Sequence, residues 1–357
     1  MPWSTPTLKD TRRLTRDYVL SQLGAKAMIP NSVLRIMSDA MAGLTHLTFL
    51  YLDWLAKQLL PDTAETEWLD RHGVIWLENA DGSKGRKAAT YAHGEIQFTG
   101  INATIIPVGS LLTGPNRVQY QTVTAGEIGS GGTGVANATA LTAGTVGNLP
   151  DGTAMGLVEA IPGVDTAGLL GDMSGGVDTE TDDQLRERIL FRIQNPPMGG
   201  SQADYVRWAT AVPGVTRAWA APEMGVGTIT VRFLMDDLHG DNHGLPTAED
   251  ILLVQEHIER KRPVTVKDCF VVAPVPYFYA ITINDLTNDD ATVRARIETS
   301  IAEMEFKRSK PGQTMYRSWV DEAISQAIGE ESHELVFDTV VMPEPGYMPF
   351  LGTISYG

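Results

Sequence analysis

The sequence predicts an α+β multidomain chain, with an N-terminal helical bundle segment, a Gly-rich β domain and then small α/β sandwich modules. Three observations carry that expectation. Apolar residues recur every three and four positions over 33–54, the period drops to two from Tyr91 onward, and strand-like and helix-like stretches alternate beyond Thr181. A length of 357 residues fits two or three packed units at roughly 150 residues each. With 43% hydrophobic and 20% charged residues, the composition fits neither a disordered chain nor a membrane protein. The 28 Lys+Arg against 44 Asp+Glu leave a net charge of −16, which repels phosphate backbones and anionic lipid heads. Nucleic acid and membrane are therefore not expected partners. A single cysteine, Cys269, rules out an internal disulfide and points to folding in a cytoplasm. The first residues lack the basic and apolar stretches of a signal peptide, and no window reaches the ~20 apolar residues of a membrane span.

In chain order, residues 8–30 read as a short helix carrying Lys9, Arg12, Arg13, Arg16 and Lys26, broken at Gly24 and Pro30. A long helix follows over 32–60, with Asn31 or Ser32 as N-cap and Pro61 as its stop. Val33, Met37, Ala40, Leu44, Leu47, Tyr51 and Trp54 alternate by four and three along it, which is a heptad seam. Leu34, Met41 and Leu55 widen the apolar surface beyond one seam, so more than one partner surface is expected. Residues 65–90 read as a second helix leading into a polar link at 81–85, which closes a first region at 1–90. Alternation at 95–99, 118–123 and 135–141 marks strands of a β domain at 91–175. Its glycines, Gly129, Gly131, Gly132, Gly134, Gly144, Gly147 and Gly152, are expected at positive-φ turns.

Thr181-Asp182-Asp183-Gln184 has the pattern of a capping box and opens a helix through Arg192; Ser201 caps the next, to about Ala211. Strand at 228–235, helix at 247–261 and strand at 264–272 complete a module at 176–275. Strand at 277–284, helices at 289–306 and 314–328 and a returning strand at 334–341 form another at 276–340, leaving 341–357 as a C-terminal tail.

Chemistry is sparse in this pattern. Gly129-Ser130-Gly131-Gly132-Thr133-Gly134 lacks the lysine and following helix of a phosphate loop, so a hairpin turn is expected. His239, Asp241 and His243 are metal-ligand types, but they sit in a polar loop with no third rigid ligand, and no metal is assigned. Cys269 lies in an apolar strand, where an inert thiol is expected. Asp178 with Glu180, or Glu330 with Glu331, read as caps and solvated faces rather than a catalytic pair. No catalytic residue and no cofactor is expected. From Val118 to Leu185 there is no Lys or Arg, whereas 321–357 holds seven acidic residues and no basic one. Residues 1–60 carry seven Lys+Arg against four acids, so the ends have opposite charge excess, which can steer one copy toward a neighbour.

Several runs in fixed order carry a resemblance: Thr142–Leu149, Ile161-Pro162-Gly163-Val164, Gly175–Leu190, Pro197–Ala209, Val212-Pro213-Gly214-Val215 and Arg262-Pro263-Val264-Thr265-Val266. Together they resemble the baseplate J-like family of contractile-tailed phages, and Tyr51–Gln58 with Leu69–Gly73 look like its Mu-type members. The motif residues are Gly175, Gly176, Asp178, Glu180, Thr181, Asp182, Arg186 and Arg188, then Gly199, Gly200, Asp204 and Tyr205. Bottom-up, the first set is a tight turn entering a capped helix, with Arg186 spaced to pair with Asp182.

The resemblance implies a non-enzymatic wedge subunit of a virion tail baseplate, folded and assembled in the host cytoplasm. It implies a dimer in each wedge and a ring around the tail hub, and a role in transmitting the trigger for sheath contraction. Implied partners are a second copy, other wedge subunits, the hub or sheath-initiating protein and tail-fibre connectors. The bundle contact would use Val33, Met37, Leu44, Leu47, Tyr51, Trp54 and Leu55. Two other readings are a virion glycan-binding or glycan-degrading module, whose tryptophans, Trp3 among them, would stack on sugars, and a part of a phage-derived contractile injection particle.

Overall fold

The computed structural model describes residues 4–24 and 27–357; Trp3 and Lys26 lie outside the described residues. Helix α1 (Leu8–Leu23) is capped by the Thr7 hydroxyl and ends at Gly24, and α2 (Val33–Gln58) is capped by Ser32. At 26 residues α2 is roughly 39 Å long. Helix α3 (Thr66–Trp76) stops well short of the 65–90 expected, because the chain turns back after Leu77 and Glu78 bridges to Lys84.

Strands β1 (Tyr91–Thr99), β2 (Ile105–Ile106), β3 (Leu111–Thr113), β4 (Gln119–Thr122), β5 (Gly126–Glu127), β6 (Thr133–Ala143), β7 (Leu149–Leu157) and β8 (Ala167–Ser174) make the next layer. Six of them close into a barrel in the order β1-β6-β4-β3-β7-β8, while β2 and β5 form a separate pair. Closure follows from β1, which pairs antiparallel with both β6 and β8, so that Ile96 faces Ala136 on one side and Gly171 on the other. The interior fits large residues against small: Ile96, Phe98, Leu112, Tyr120 and Leu169 fill it while β6 contributes Ala136, Ala138 and Ala140. Gly94 is where the wall is tightest. A Cβ there would lie 1.8 Å from the Asp172 carbonyl oxygen of β8.

Only Gly132, Gly144 and Gly152 of the seven expected turn glycines have positive φ. Gly152 lies inside β7 at a register shift, and Gly134 lies in β6, where a Cβ would meet the Glu127 carbonyl at 2.5 Å. Close backbone approach, as much as turn geometry, accounts for the glycine excess.

The middle module contains α4 (Asp182–Gln194), α5 (Gln202–Thr210), β9 (Arg217–Ala221), β10 (Thr228–Leu234), α6 (Ala248–Lys261) and β11 (Asp268–Val272). Its sheet runs β11-β10-β9, with β10 parallel to β11 and antiparallel to β9. The last module has β12 (Val275–Asn284), α7 (Ala291–Arg308), α8 (Arg317–Ser325), β13 (Glu334–Val336) and β14 (Tyr347–Tyr356) in the sheet order β13-β12-β14. Residues 341–357 are thus not a tail. Most of them form β14, which runs parallel to β12, and Met348 and Phe350 pack against Leu234 of the middle module.

Candidate assembly site

Two features stand out among the residues singled out by sequence: the outward face of α2 and the junction built by the Gly175–Arg188 motif.

The stripe of α2 that meets α1 is small and polar apart from a half-buried Phe49. Ser38 and Ala42 are buried there, with Arg35, Asp39, His46 and Asp53 half-buried along the same stripe. From α1 come Thr11, buried, and Leu8, Thr15 and Val19, half-buried. The hydroxyls of Thr11 and Ser38 donate back to Thr7 and Leu34 carbonyls at 3.0 and 2.7 Å, so close helix contact leaves them satisfied. Arg16 donates through Nε and Nη2 to both Asp39 oxygens at 2.7 and 2.6 Å, and the Thr5 hydroxyl donates to Asp53. Because α1 takes the polar stripe, the heptad seam faces outward. Val33, Met37, Leu44, Leu47 and Tyr51 are 59–71% exposed.

Trp54 and Leu55 depart from that seam and are half-buried. The Trp54 indole donates to Glu65 at 3.1 Å and meets Trp68 edge-on, so it anchors α2 to the α3 region.

The motif ties four parts of the chain together. Gly176 donates to Asn148 Oδ1 and accepts from Asn148 Nδ2, both at 2.8 Å; a Cβ there would lie 2.5 Å from the Gly144 carbonyl. Gly175 has φ +79° beneath the His93 ring, and its carbonyl accepts from the Thr90 hydroxyl at 2.7 Å. Asp178 accepts from the Thr145 backbone and hydroxyl at 2.9 and 2.7 Å, which holds the turn before β7. Glu180 is buried. It accepts from Arg188 at 2.7 Å and from the Lys87 backbone at 3.0 Å, while Arg188 also donates to Asn79 at 2.7 Å.

Thr181 and Gln184 complete the capping box of α4. Asp182 does not pair with Arg186. It accepts from Arg86 and from the Thr66 hydroxyl, each at 2.6 Å, and these two bonds hold its carboxyl below the usual carboxylate range. Arg186 instead pairs with Asp183 at 2.8 Å and donates to the Pro61 and Ala64 carbonyls, both at 3.2 Å. That choice follows from geometry: Arg86 reaches Asp182 across the helix start, while Arg186 points back to the turn between α2 and α3.

The second motif caps α5. Asp204, buried, accepts from the backbone of Met198, Gly200 and Ser201 at 3.0, 2.9 and 3.1 Å and pairs with Arg207 at 3.0 Å. Burial raises its pKa, but those backbone N–H groups and the Ser201 hydroxyl outweigh burial and leave it lowered. Gly199 is exposed at the turn, and Tyr205 is buried against Trp208 with ring centroids 4.9 Å apart.

Sequence reasoning missed Arg86 and Lys87. Lys87 Nζ donates to the Thr210 and Val215 carbonyls at 3.2 and 3.0 Å, and burial, helped by the Arg188 charge, pushes it down to about 8. One signal pointed to them. The acids Asp178, Glu180 and Asp182 lie in a stretch without cations, so their partners had to come from its flanks, Arg86 and Lys87 before it or Arg186 and Arg188 after it.

The two loop histidines have structural partners. His239 meets Asp250 at 2.7 Å, and the His243 ring lies 5.2 and 5.4 Å from the Phe278 and Phe350 rings. Asp241 lies in a short 3-10 turn between them, and no group of three His, Cys, Asp or Glu able to share a metal ion occurs among the described residues. Burial pushes the Cys269 thiol up to about 11, as an inert core residue requires. No helix among the described residues is long and apolar enough to cross a membrane.

Comparison with known proteins finds three family domains and relatives along nearly the whole chain. A baseplate J-like protein barrel domain matches residues 95–176, a Baseplate J-like central domain 197–273 and a Baseplate J-like protein C-terminal domain 279–357. The chain is 31% identical to the Mu-like prophage FluMu protein gp47 of Haemophilus influenzae over 354 residues, 95% of each chain. It is 31% identical to the Baseplate protein gp47 of Escherichia phage Mu over 355 residues, 96% of this chain and 95% of that one. Putative protein JayE of Escherichia coli is 34% identical over 254 residues, 70% of this chain and 94% of its own.

Proposed function

The chain belongs to the baseplate J-like family, and on that premise we propose that it is a non-enzymatic structural subunit of a contractile phage tail baseplate. In this reading it is a wedge subunit, folded and assembled in the host cytoplasm and carried in the virion tail. Two copies dimerise through the outward seam of α2, and the seam also receives another wedge subunit. Wedges then join in a ring around the hub, next to the sheath-initiating protein and the fibre connectors, and transmit the trigger for contraction.

The observation that carries the reading is the inverted helix. A lone amphipathic helix turns its apolar side to its own core, yet α2 turns Met37, Leu44, Leu47 and Tyr51 away from it. Fully burying one such side chain contributes roughly 1.5–3 kcal/mol. A row of them is therefore a strong site for another helix. The junction supports the mechanical part of the reading: the motif, with Arg86 and Lys87, bonds the barrel, α3, α4 and the C-terminal end of α5 into one connected body.

The test is assembly. Tails made with the Leu44→Glu, Leu47→Glu chain in place of the wild type are expected to lack baseplates in electron micrographs, while a tagged wild-type chain is found at the tail tip. Normal baseplates from the variant would end the bundle reading, and a wild-type chain absent from tails would end the baseplate reading.

A further inference from the structure

A cleft of about 1060 Å³ lies where the barrel junction, α4, α5, β9 and the end of α7 meet. Its charge runs against that of the protein. Ten Lys and Arg side chains and five Asp and Glu line it, in a chain of net charge −16. Four of the five acids are already engaged: Glu78 with Lys261, Glu180 with Arg188, Asp178 with Thr145 and Asp237 with Gln184. Six of the cations are paired as well, Arg207, Arg217, Lys307 and Arg308 with acids outside the lining, and Lys87 is held on backbone carbonyls. That leaves Lys84, Arg192 and Lys310 as the accessible cations with no ion pair among the described residues. Arg192 lies near Arg207, and burial together with the Arg192 charge outweighs Asp204 and lowers the Arg207 pKa. The cleft is at the upper limit of the roughly 300–1,000 Å³ of small-molecule sites, and it is walled by Trp208, Phe191 and Phe306 as well as by cations. It suits a chain segment with both carboxylates and apolar groups.

This protein carries such a segment. On β13 and just beyond it, Glu334, Val336 and Asp338 are exposed, with Glu331 shortly before, and none of the three acids has an ion pair among the described residues. Along a strand, alternate residues share one side, so Glu334, Val336 and Asp338 present carboxylate, methyls and carboxylate in a row. Among the described residues β13 is an edge strand, paired only with β12. The start of the segment is held away from its own cleft. Ser332 and Gly329 accept from Thr287 and Asn288 just before α7 begins, whereas Phe306 to Lys310 at its far end line the cleft. The 18 residues of α7 put roughly 27 Å between the two.

We propose that the acidic edge at Glu331, Glu334 and Asp338 docks into the basic cleft at Arg192 and Lys310 of a second copy. The contact joins two different surfaces, so it propagates head to tail and either closes a ring or extends. It deepens the wedge-ring reading by naming a surface on each side, and it is independent of the α2 seam.

The experiment uses the full chain in sedimentation velocity at about 0.01 M salt, where exposed charges act over roughly 30 Å. Wild type is expected to form species larger than a dimer. Arg192→Glu with Lys310→Glu, or Glu331→Lys with Glu334→Lys and Asp338→Lys, is expected to weaken that association by about tenfold or more, with circular dichroism unchanged. Mixing the two reversed chains restores it. The same loss and rescue are expected in the Leu44→Glu, Leu47→Glu background, which separates this contact from the bundle. A wild type that stops at the dimer, reversed chains that associate like wild type, or a mixture that fails to recover each overturns the proposal. Reversed chains that associate like wild type but fail to enter baseplates would overturn this proposal too, pointing to a different tail protein in the cleft, and leave the baseplate reading standing.

Discussion

The N-terminal arm and the motif junction use the same residue types in opposite ways. In the arm, α1 covers the polar stripe of α2 and leaves the leucines in water; in the junction, each acid of the motif has a cation or backbone donor. The junction is complete within one chain. The arm is half of an interface. The difference teaches where stability and assembly reside: substitutions at the junction should unfold the chain, and substitutions on the outward face of the arm should spare the fold.

The largest effect should come from Glu180→Ala. Glu180 and Arg188 side chains are only 1% and 12% exposed, and removing one partner of a buried pair costs about 3–5 kcal/mol because the other charge stays desolvated. Urea unfolding is the measurement. A change below about 1 kcal/mol would mean that water reaches Arg188, and the contrast with the arm would weaken. Next is Gly176→Ala, where the added Cβ meets the Gly144 carbonyl and Asn148 at 2.5 and 2.7 Å. Backbone must shift, at about 1–3 kcal/mol. If the variant is as stable as wild type, the clip between Asn148 and Gly176 is not rigid.

Against these stands Leu44→Glu with Leu47→Glu. Both leucines are 62% exposed, so each change should stay within about 0.5 kcal/mol in the isolated chain. A large loss of stability on its own, without any partner, would show that α2 buries this face intramolecularly and would erase the comparison.

How far the sequence foretold these two regions depends on the range of the interactions. Capping boxes at Thr181–Gln184 and Ser201–Asp204 are local patterns and stand where the residues put them. The heptad seam was legible for the same reason. Its direction was not, because nothing in a periodicity says which side a short helix such as α1 will take, and α1 took Ser38 and Ala42. Barrel closure was hidden as well: β7 reads Leu149-Pro150-Asp151-Gly152, a turn sequence, and becomes a strand only by pairing with β8. The fork of Arg86 to Asp182 spans 96 residues, so the nearer Arg186 was the expected partner. Residues 341–357 looked like a tail since their partner strand, β12, begins at Val275.

The smallest expected effect separates the two regions by pH. Arg16 donates to Asp39 and holds its carboxyl below the ordinary aspartate value, with its charge adding to the hydrogen bonds. The folded pKa lies below the unfolded one, so the opened arm takes up the extra proton as pH falls. Stabilisation of the α1 contact is therefore intact above about pH 4, near the ordinary aspartate value, and is lost as pH drops through the folded pKa. The junction spreads its acids over several donors, whereas Arg16–Asp39 is the ion pair that joins α1 to α2 among the described residues. Protection of α1 amides against hydrogen exchange should then fall below about pH 4 before that of α4. Asp39→Asn should lower protection of α1 at neutral pH and reduce its acid dependence to the part carried by Asp10 in its first turn, which the Thr7 hydroxyl also holds below the ordinary value, leaving α4 unchanged. Equal loss of protection in both helices as the pH falls would mean that arm and junction open as one unit, and that α1 is not a separately held strap.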